Sequence, residues 1–240
     1  LNGLTPWLWR RVEEALEETI GCYERVNHLI SLWQDERARG IGLRIIGAMG
    51  GVALELGSGP GNYAKALAQR IGGPLICLDY SPEMLQASRG RLRRLNGHLL
   101  RGVFEALPLR RGALSLVVAA YALRDSTDRV RALQEVRRIL RIGGRLLLID
   151  LGKPRNPVME RLLELHLRIG VPLIAALASN RGLRNPWRLL YETYRRLPRN
   201  DELLELLRGL IGRTAMWELA FGALIVLLAE RSEKQRQGEA

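Results

Sequence analysis

Apolar positions along the chain follow two different periods. Residues 6–20, "PWLWRRVEEALEETI", set Leu8, Val12, Leu16 and Ile20 on one face behind a leading proline, which predicts an amphipathic N-terminal helix. From residue 52 onward short apolar runs alternate with helical segments: "VALEL", a helix from about 61, "LICLD", a helix from "SPEML", "HLLRGV", "ALSLVVAAY", a helix through "RVRALQEVRRIL", then "RLLLID". Strands joined by crossover helices pair in parallel, so the pattern predicts an α/β fold with a mainly parallel sheet covered on both faces.

After Asp150 the alternation stops. Residues 156–179 read as a long helix interrupted near Pro172, and "RNPWRLLYETYRRLPRNDELLELLRGL" adds two further helical pieces. Segments 213–219 and 221–230 have the length and composition of a closing strand pair, which brings the expected sheet to seven strands, and "RSEKQRQGEA" reads as a frayed tail. The expected organisation is a single domain. A helical segment spans 1–48, a cofactor-binding core 49–152, a helical cap insertion 153–211 and the closing strands 212–231.

At 240 residues and 47% hydrophobic content, the chain has enough apolar mass for one sizeable core and is not disordered. The formal charge of +12 comes almost entirely from arginine, since Lys65, Lys153 and Lys234 are the only lysines, and the arginines form no long basic block. A scattered excess of this kind reads as a solvated surface, with nucleic acid or acidic lipid as the sharper alternative. Nucleic acid is the less favoured of these, because basic and aromatic residues do not cluster on one strand. Cys22 and Cys77 lie far apart without metal-ligand spacing, so no metal site and no disulfide are expected and a cytoplasmic compartment fits. The longest apolar runs, 169–178 and 219–229, fall short of the roughly 20 residues that cross a bilayer, and no secretory signal is read at the N-terminus.

The chemistry begins in "ELGSGPGNYAKALA", where a strand runs into a glycine-rich turn and a helix. Gly57, Gly59 and Gly61 let the backbone turn sharply against a ligand, and the helix start offers free N–H groups. About 20 residues later Asp79 ends the next strand, where its carboxylate can accept both hydroxyls of a ribose. The pair points to a nucleoside cofactor, and either half alone would be weak. Glu55 directly before the turn, the GxGxG spacing and "DYSPEML" after the acid resemble the class I S-adenosylmethionine-dependent methyltransferases.

Further along, "YERVNHLIS", "EALPL", "YALRDSTD", "RRILRIGG", "LIDLGKP" and "ETYRRLPRNDEL" are similar to successive elements of the ubiquinone/menaquinone biosynthesis C-methyltransferase family, over about residues 23–230. The resemblance implies a doubly wound Rossmann-like sheet and S-adenosylmethionine as methyl donor. It implies an aromatic or quinol acceptor such as a demethylated polyprenyl hydroquinone, met at the membrane surface, with another small molecule as the competing acceptor. It places Glu55, Gly57, Ser58, Gly59, Gly61, Asp79, Tyr80, Phe104, Glu105 and Ala120 around the donor, and Arg124, Asp125 and Tyr23 at the acceptor. Three departures stand out: Val103 occupies a position where an acid or amide usually meets adenine, Pro60 replaces a threonine, and Asp125 replaces an asparagine. A lone His166 among leucines reads as a packing residue, as do Trp187, Tyr191 and Tyr194. The oligomeric state, monomer or homodimer, stays open.

Overall fold

The computed structural model describes residues 3–93 and 95–233. The Thr5 hydroxyl accepts the Leu8 N–H and Pro6 takes the first position of helix α1 (Pro6–Thr19), as the leading proline predicts. Helices α2 (Tyr23–Ser31) and α3 (Gln34–Ile46) follow, separated by Leu32 and Trp33, both in the left-handed region. Strand and helix then alternate through β1 (Ala53–Leu56), α4 (Ala64–Ala68), β2 (Leu75–Asp79), α5 (Pro82–Leu92), β3 (Gly97–Arg101), β4 (Leu114–Ala120), α6 (Arg129–Ile139) and β5 (Leu140–Leu151). Ser81 caps α5 and Asp128 caps α6 through side-chain oxygens that accept the N–H groups of Met84 and Arg131. The chain closes with α7 (Pro157–Leu165), α8 (Val171–Ser179), α9 (Leu189–Arg195), α10 (Asn200–Leu210), β6 (Gly212–Leu219) and β7 (Leu224–Arg231).

The seven strands lie in the order β3-β2-β1-β4-β5-β7-β6, parallel except for β7, which runs antiparallel to both its neighbours. Chain order reverses between β1 and β4, so a crevice opens at their carboxyl ends. Alternate residues feed two cores. Leu54, Val117, Leu146 and Leu148 pack under α6 and α10 on one face, while Ala53, Leu116, Leu147 and Ile149 pack under α3 and α4 on the other. A third apolar cluster, built on Val26, Ile30, Leu167, Val171 and Trp187, joins α2 to α8 above the sheet.

Several local expectations are corrected. The helix expected from about 61 is α4, because residues 57–61 carry three glycines at positive φ and the chain is still turning. The second closing strand starts at Leu224, since Ala220–Gly222 form a one-turn 3-10 segment. The interruption expected near Pro172 lies just before it, as a π turn at His166–Gly170. Proline has no N–H for the ladder and crowds the carbonyl four residues back, and the wider turn relieves both. Helix continues through that turn, so Pro157–Ser179 forms one 23-residue stretch long and apolar enough to cross a membrane by length and composition; counting uninterrupted apolar runs missed it. One of its faces packs into the third cluster. The frayed tail lies, from residue 234, outside the described residues.

Helix α3 rides close to the sheet: a Cβ at Gly42 would sit 2.9 Å from both Ile149 Cδ1 and Leu147 Cδ2. Gly42→Leu is therefore expected to cost about 1–3 kcal/mol by overpacking, read as a lower urea midpoint at unchanged slope.

Candidate functional site

The crevice and a larger cavity meet at the carboxyl ends of β1 and β4. On the crevice side, β1 delivers the chain into the glycine turn. Gly57 sits at φ +65°, and a Cβ there would lie 2.5 Å from that of Ala122 and 3.2 Å from the Phe104 ring. Gly61, at φ +80°, lies against Ser88 of α5, where a Cβ would come within 3.0 Å. Both positions need glycine for conformation and for room. Asp79 at the end of β2 holds the turn open: one carboxylate oxygen accepts the Gly59 N–H at 2.8 Å and the other the Ser81 N–H at 3.0 Å. The Tyr80 backbone N–H also bears on this carboxylate, which retains acceptor capacity for a ribose hydroxyl.

Of the residues expected around the donor, Gly57, Gly59, Asp79, Tyr80, Phe104, Glu105 and Ala120 line this crevice, with Val103 beside them. Ser58, Gly61 and Glu55 do not. Ser58 and Glu55 are buried behind the turn, each with a side-chain oxygen that has no hydrogen-bond partner. Burial, together with Asp79, pushes the Glu55 carboxyl up to about 8 despite the opposing Arg39. The Glu105 carboxylate is engaged elsewhere, accepting from Thr127 N, Thr127 Oγ1 and Asp128 N at 2.7–3.0 Å, where it pins the loop that starts α6.

Helix α1 roofs the crevice with one helical face, Trp9, Glu13 and Leu16. Trp9 meets Tyr80 edge-on at 4.6 Å between ring centroids. Glu13 therefore faces Asp79 and Asp125 across the opening, and burial followed by those two charges raises its carboxyl to about 8. The free space beneath this roof is about 80 Å³, against the roughly 300–1,000 Å³ of a small-molecule site, so the roof formed by α1 limits what the crevice admits.

The larger cavity, about 320 Å³, lies between α1, α2, α8 and the segment around Trp187, and its walls are mainly apolar. Tyr23, Tyr121, Asp125 and Leu16 line both spaces and so mark where they join. Arg124 lines the cavity and is buried. Its Nη1 donates to Asp150 Oδ1 at 3.1 Å, while its Nε lies 3.4 Å from Asp125 Oδ1 without a hydrogen bond, leaving both of those buried atoms without a partner. Desolvation opposes the Arg124 charge, but the two neighbouring carboxylates outweigh it and hold the guanidinium firmly protonated. Asp125 is pushed up to about 6 by burial, held back by Arg124 and raised further by Asp150. Burial raises the Tyr23 hydroxyl as well, with Arg124 opposing. The structure thus brings Arg124, Asp125 and Tyr23 to one junction.

Sequence reasoning missed Tyr121, Arg39, Glu13 and Asn27. Tyr121 leaves β4 at φ +60°, a conformation costly for a non-glycine residue, and its hydroxyl reaches Asp35 O at 3.4 Å. Arg39 packs 5.3 Å from the Tyr121 ring centroid and bonds Asp35 and Glu36. Asn27 accepts the Trp187 indole N–H at 2.9 Å, which makes Trp187 part of the cavity wall as well as of the third cluster. His166 also faces the cavity, but its Nε2 is paired with Ile30 O at 2.8 Å. His28, Asp35 and Glu36 bring three possible ligand atoms within 4.8 Å of one another, yet Asp35 is already taken by His28, Ser31 and Arg39.

Comparisons with known proteins bear on the fold and the family. The chain is 28% identical to a ubiquinone/menaquinone biosynthesis C-methyltransferase of Hahella chejuensis, over 80% of this chain and 79% of that one. It is 29% identical to a demethylmenaquinone methyltransferase of Lactococcus lactis over 68% of each. A Thermotoga maritima S-adenosylmethionine-dependent methyltransferase of solved structure superposes with a TM-score of 0.65 at 20% identity, over 94% of this chain and 100% of that one, which shows the shared fold. The ubiE/COQ5 methyltransferase family matches residues 9–226, and the chain belongs to that family.

Proposed function

We propose that this enzyme transfers the methyl group of S-adenosylmethionine to a ring carbon of a demethylated polyprenyl hydroquinone, visiting the membrane from the cytoplasmic side. The observation that carries the acceptor chemistry is the pair of buried, unpartnered atoms at the junction, Arg124 Nε and Asp125 Oδ1. A phenolic hydroxyl is both donor and acceptor, so it satisfies both atoms at once. The apolar cavity beyond suits an isoprenoid tail.

The donor fits the crevice electrostatically. Glu13, Asp79 and Asp125 line it, and burial above all raises the pKa of each, a shift that a nearby cation relieves. Bound there, S-adenosylmethionine supplies an electrophilic methyl on a sulfonium centre and a thioether leaving group. Asp79, which lines the crevice, is the residue for the ribose.

The chain's own residues do the remaining work. Asp125 accepts the phenolic proton, and Arg124 stabilises the phenolate, whose charge spreads onto the ring carbons and makes one of them nucleophilic. Tyr23 and Tyr121 flank the ring at the junction and, with Leu16, keep water away. Overall a ring C–H becomes C–CH3 and one proton passes to solvent.

The decisive assay incubates the enzyme with labelled S-adenosylmethionine and, separately, reduced demethylquinones, small phenols and RNA, then identifies the product by mass; labelling of RNA alone refutes the reading. Arg124→Ala is expected to lower kcat by about 10²–10³-fold while donor affinity stays within a few-fold, with Arg124→Lys as the variant that keeps a cation between the two acids. Asp125 acts deprotonated, so turnover should rise with pH up to about 6 and level off above. Asp125→Asn should abolish that acidic limb and cost roughly 10²-fold at neutral pH, and an unchanged profile would exclude the role.

Donor binding should release protons at pH 7. A cationic ligand favours the ionised form of Glu13, raised to about 8, so affinity should increase as pH rises toward that value. Titration calorimetry in buffers of different ionisation enthalpy measures this, and identical heats would contradict it. Asp79→Ala should weaken binding by more than about 100-fold, the loss of two charge-assisted hydrogen bonds.

A further inference from the structure

The helical stretch Pro157–Ser179 separates the cavity from solvent and is apolar on both sides. Leu163, Leu167 and Val171 face the cavity. On the opposite side Val158, Leu162, Leu165, Ile169, Leu173 and Leu177 form an unbroken stripe, 48–86% exposed. Their spacing of three or four residues keeps them in line over roughly 28 Å at 1.5 Å per residue. A soluble surface scatters such residues singly, whereas a contiguous row marks something that covers it.

Two loops extend the stripe around the cavity. His166 bonds Ile30 O and so fixes the end of α2 beside this helix. A Cβ on Gly222 would lie 3.3 Å from Pro154 Cα, which sets the 220–222 turn beside the start of α7. Each loop holds two consecutive non-glycine residues at positive φ, Leu32–Trp33 and Ala220–Phe221. Leu32 and Ala220 line the cavity, while Trp33 at 56% and Phe221 at 82% exposure stand out into solvent. A backbone conformation that L-residues rarely adopt thus presents two large aromatic side chains beside the cavity.

We propose that this face docks on an anionic bilayer leaflet, with the stripe lying in the interface and Trp33 and Phe221 entering it beside the cavity. Charge selects the occupant. The exposed cations Arg161, Arg168 and Arg184 lie on or just beyond the helix, against Glu160 and Glu164; Glu160 is paired with Arg199, and Arg181 with Glu18. A chain of formal charge +12 is attracted to anionic headgroups and repelled by a second copy of itself. The helix lies along the surface and does not cross, because its inner face is committed to Val26, Ile30 and Trp187. An acceptor with a membrane-dissolved tail then enters the cavity without passing through water. That purpose rests on the quinol reading above, but the docking itself does not.

The test is flotation of the full chain with vesicles of phosphatidylglycerol and phosphatidylethanolamine, with phosphatidylcholine vesicles as the neutral control. The expected result is binding to the anionic vesicles alone, reduced several-fold by 0.5 M NaCl. The triple substitution Leu162→Gln, Leu173→Gln, Leu177→Gln should lower the partition coefficient at least tenfold, as should the independent pair Trp33→Ser, Phe221→Ser. Both variants should keep wild-type kcat on a water-soluble, short-tailed hydroquinone and lose activity only on a long-tailed acceptor held in vesicles. Equal flotation of wild type and both variants overturns the proposal. So does a wild-type dimer that the leucine substitutions convert to monomer, since a second copy would then be the occupant. If vesicles bind as expected but no hydroquinone is methylated, the acceptor reading fails and the docking surface stands.

Discussion

Desolvating a guanidinium costs several kcal/mol unless carboxylates meet it in good geometry, and the carboxyl end of this sheet is organised around one such group. Arg124 is held by Asp150, the penultimate residue of β5, through both its side chain and its backbone N–H, and it stands beside Asp125. Arg129 at the start of α6 donates to Arg124 O and to Arg196 O at the end of α9, so the same cluster ties α9 to the sheet. Two positive and two negative charges balance within it. The low dielectric around them fixes the loop after β4 and leaves one N–H and one carboxylate oxygen available where the two spaces join.

Around that cluster the sheet performs a separation of tasks. The topological switch point between β1 and β4 gives the acidic crevice, and the helices added before and after the sheet enclose the apolar cavity. Tyr121 serves both: its left-handed backbone turns the chain sharply at the end of β4, and its ring stands on the boundary. The strain is sustained because its N–H is bonded to Ile149 O and its ring is packed by Arg39.

Much of this was legible in the chain itself, where local chemistry is written in adjacent letters. The glycine turn, Asp79 twenty residues on, and the apolar strands each declare themselves through spacing, and the sheet followed from them. Arg124, Asp125 and Tyr23 were reached through family resemblance, since nothing local distinguishes a buried arginine from a solvated one. Glu13 was hidden because the polar face of an amphipathic helix reads as solvent-facing, whereas here it closes a crevice. Tyr121 and Arg39 depend on α3 lying against the end of β4, a contact between residues 86 apart in sequence that no periodicity encodes. The long helix over 157–179 was read from the sequence, but its apolar length escaped because charged residues interrupt the apolar run while its outward face remains apolar.

Helix α1 contributes Trp9, Glu13 and Leu16 to the crevice and Val12, Ala15 and Leu16 to the cavity. One element is therefore a wall of both rooms, so a ligand in either room presses on the same helix. Any displacement of that wall favoured by one ligand would change the affinity for the other, and by thermodynamic linkage the change would be equal in both directions.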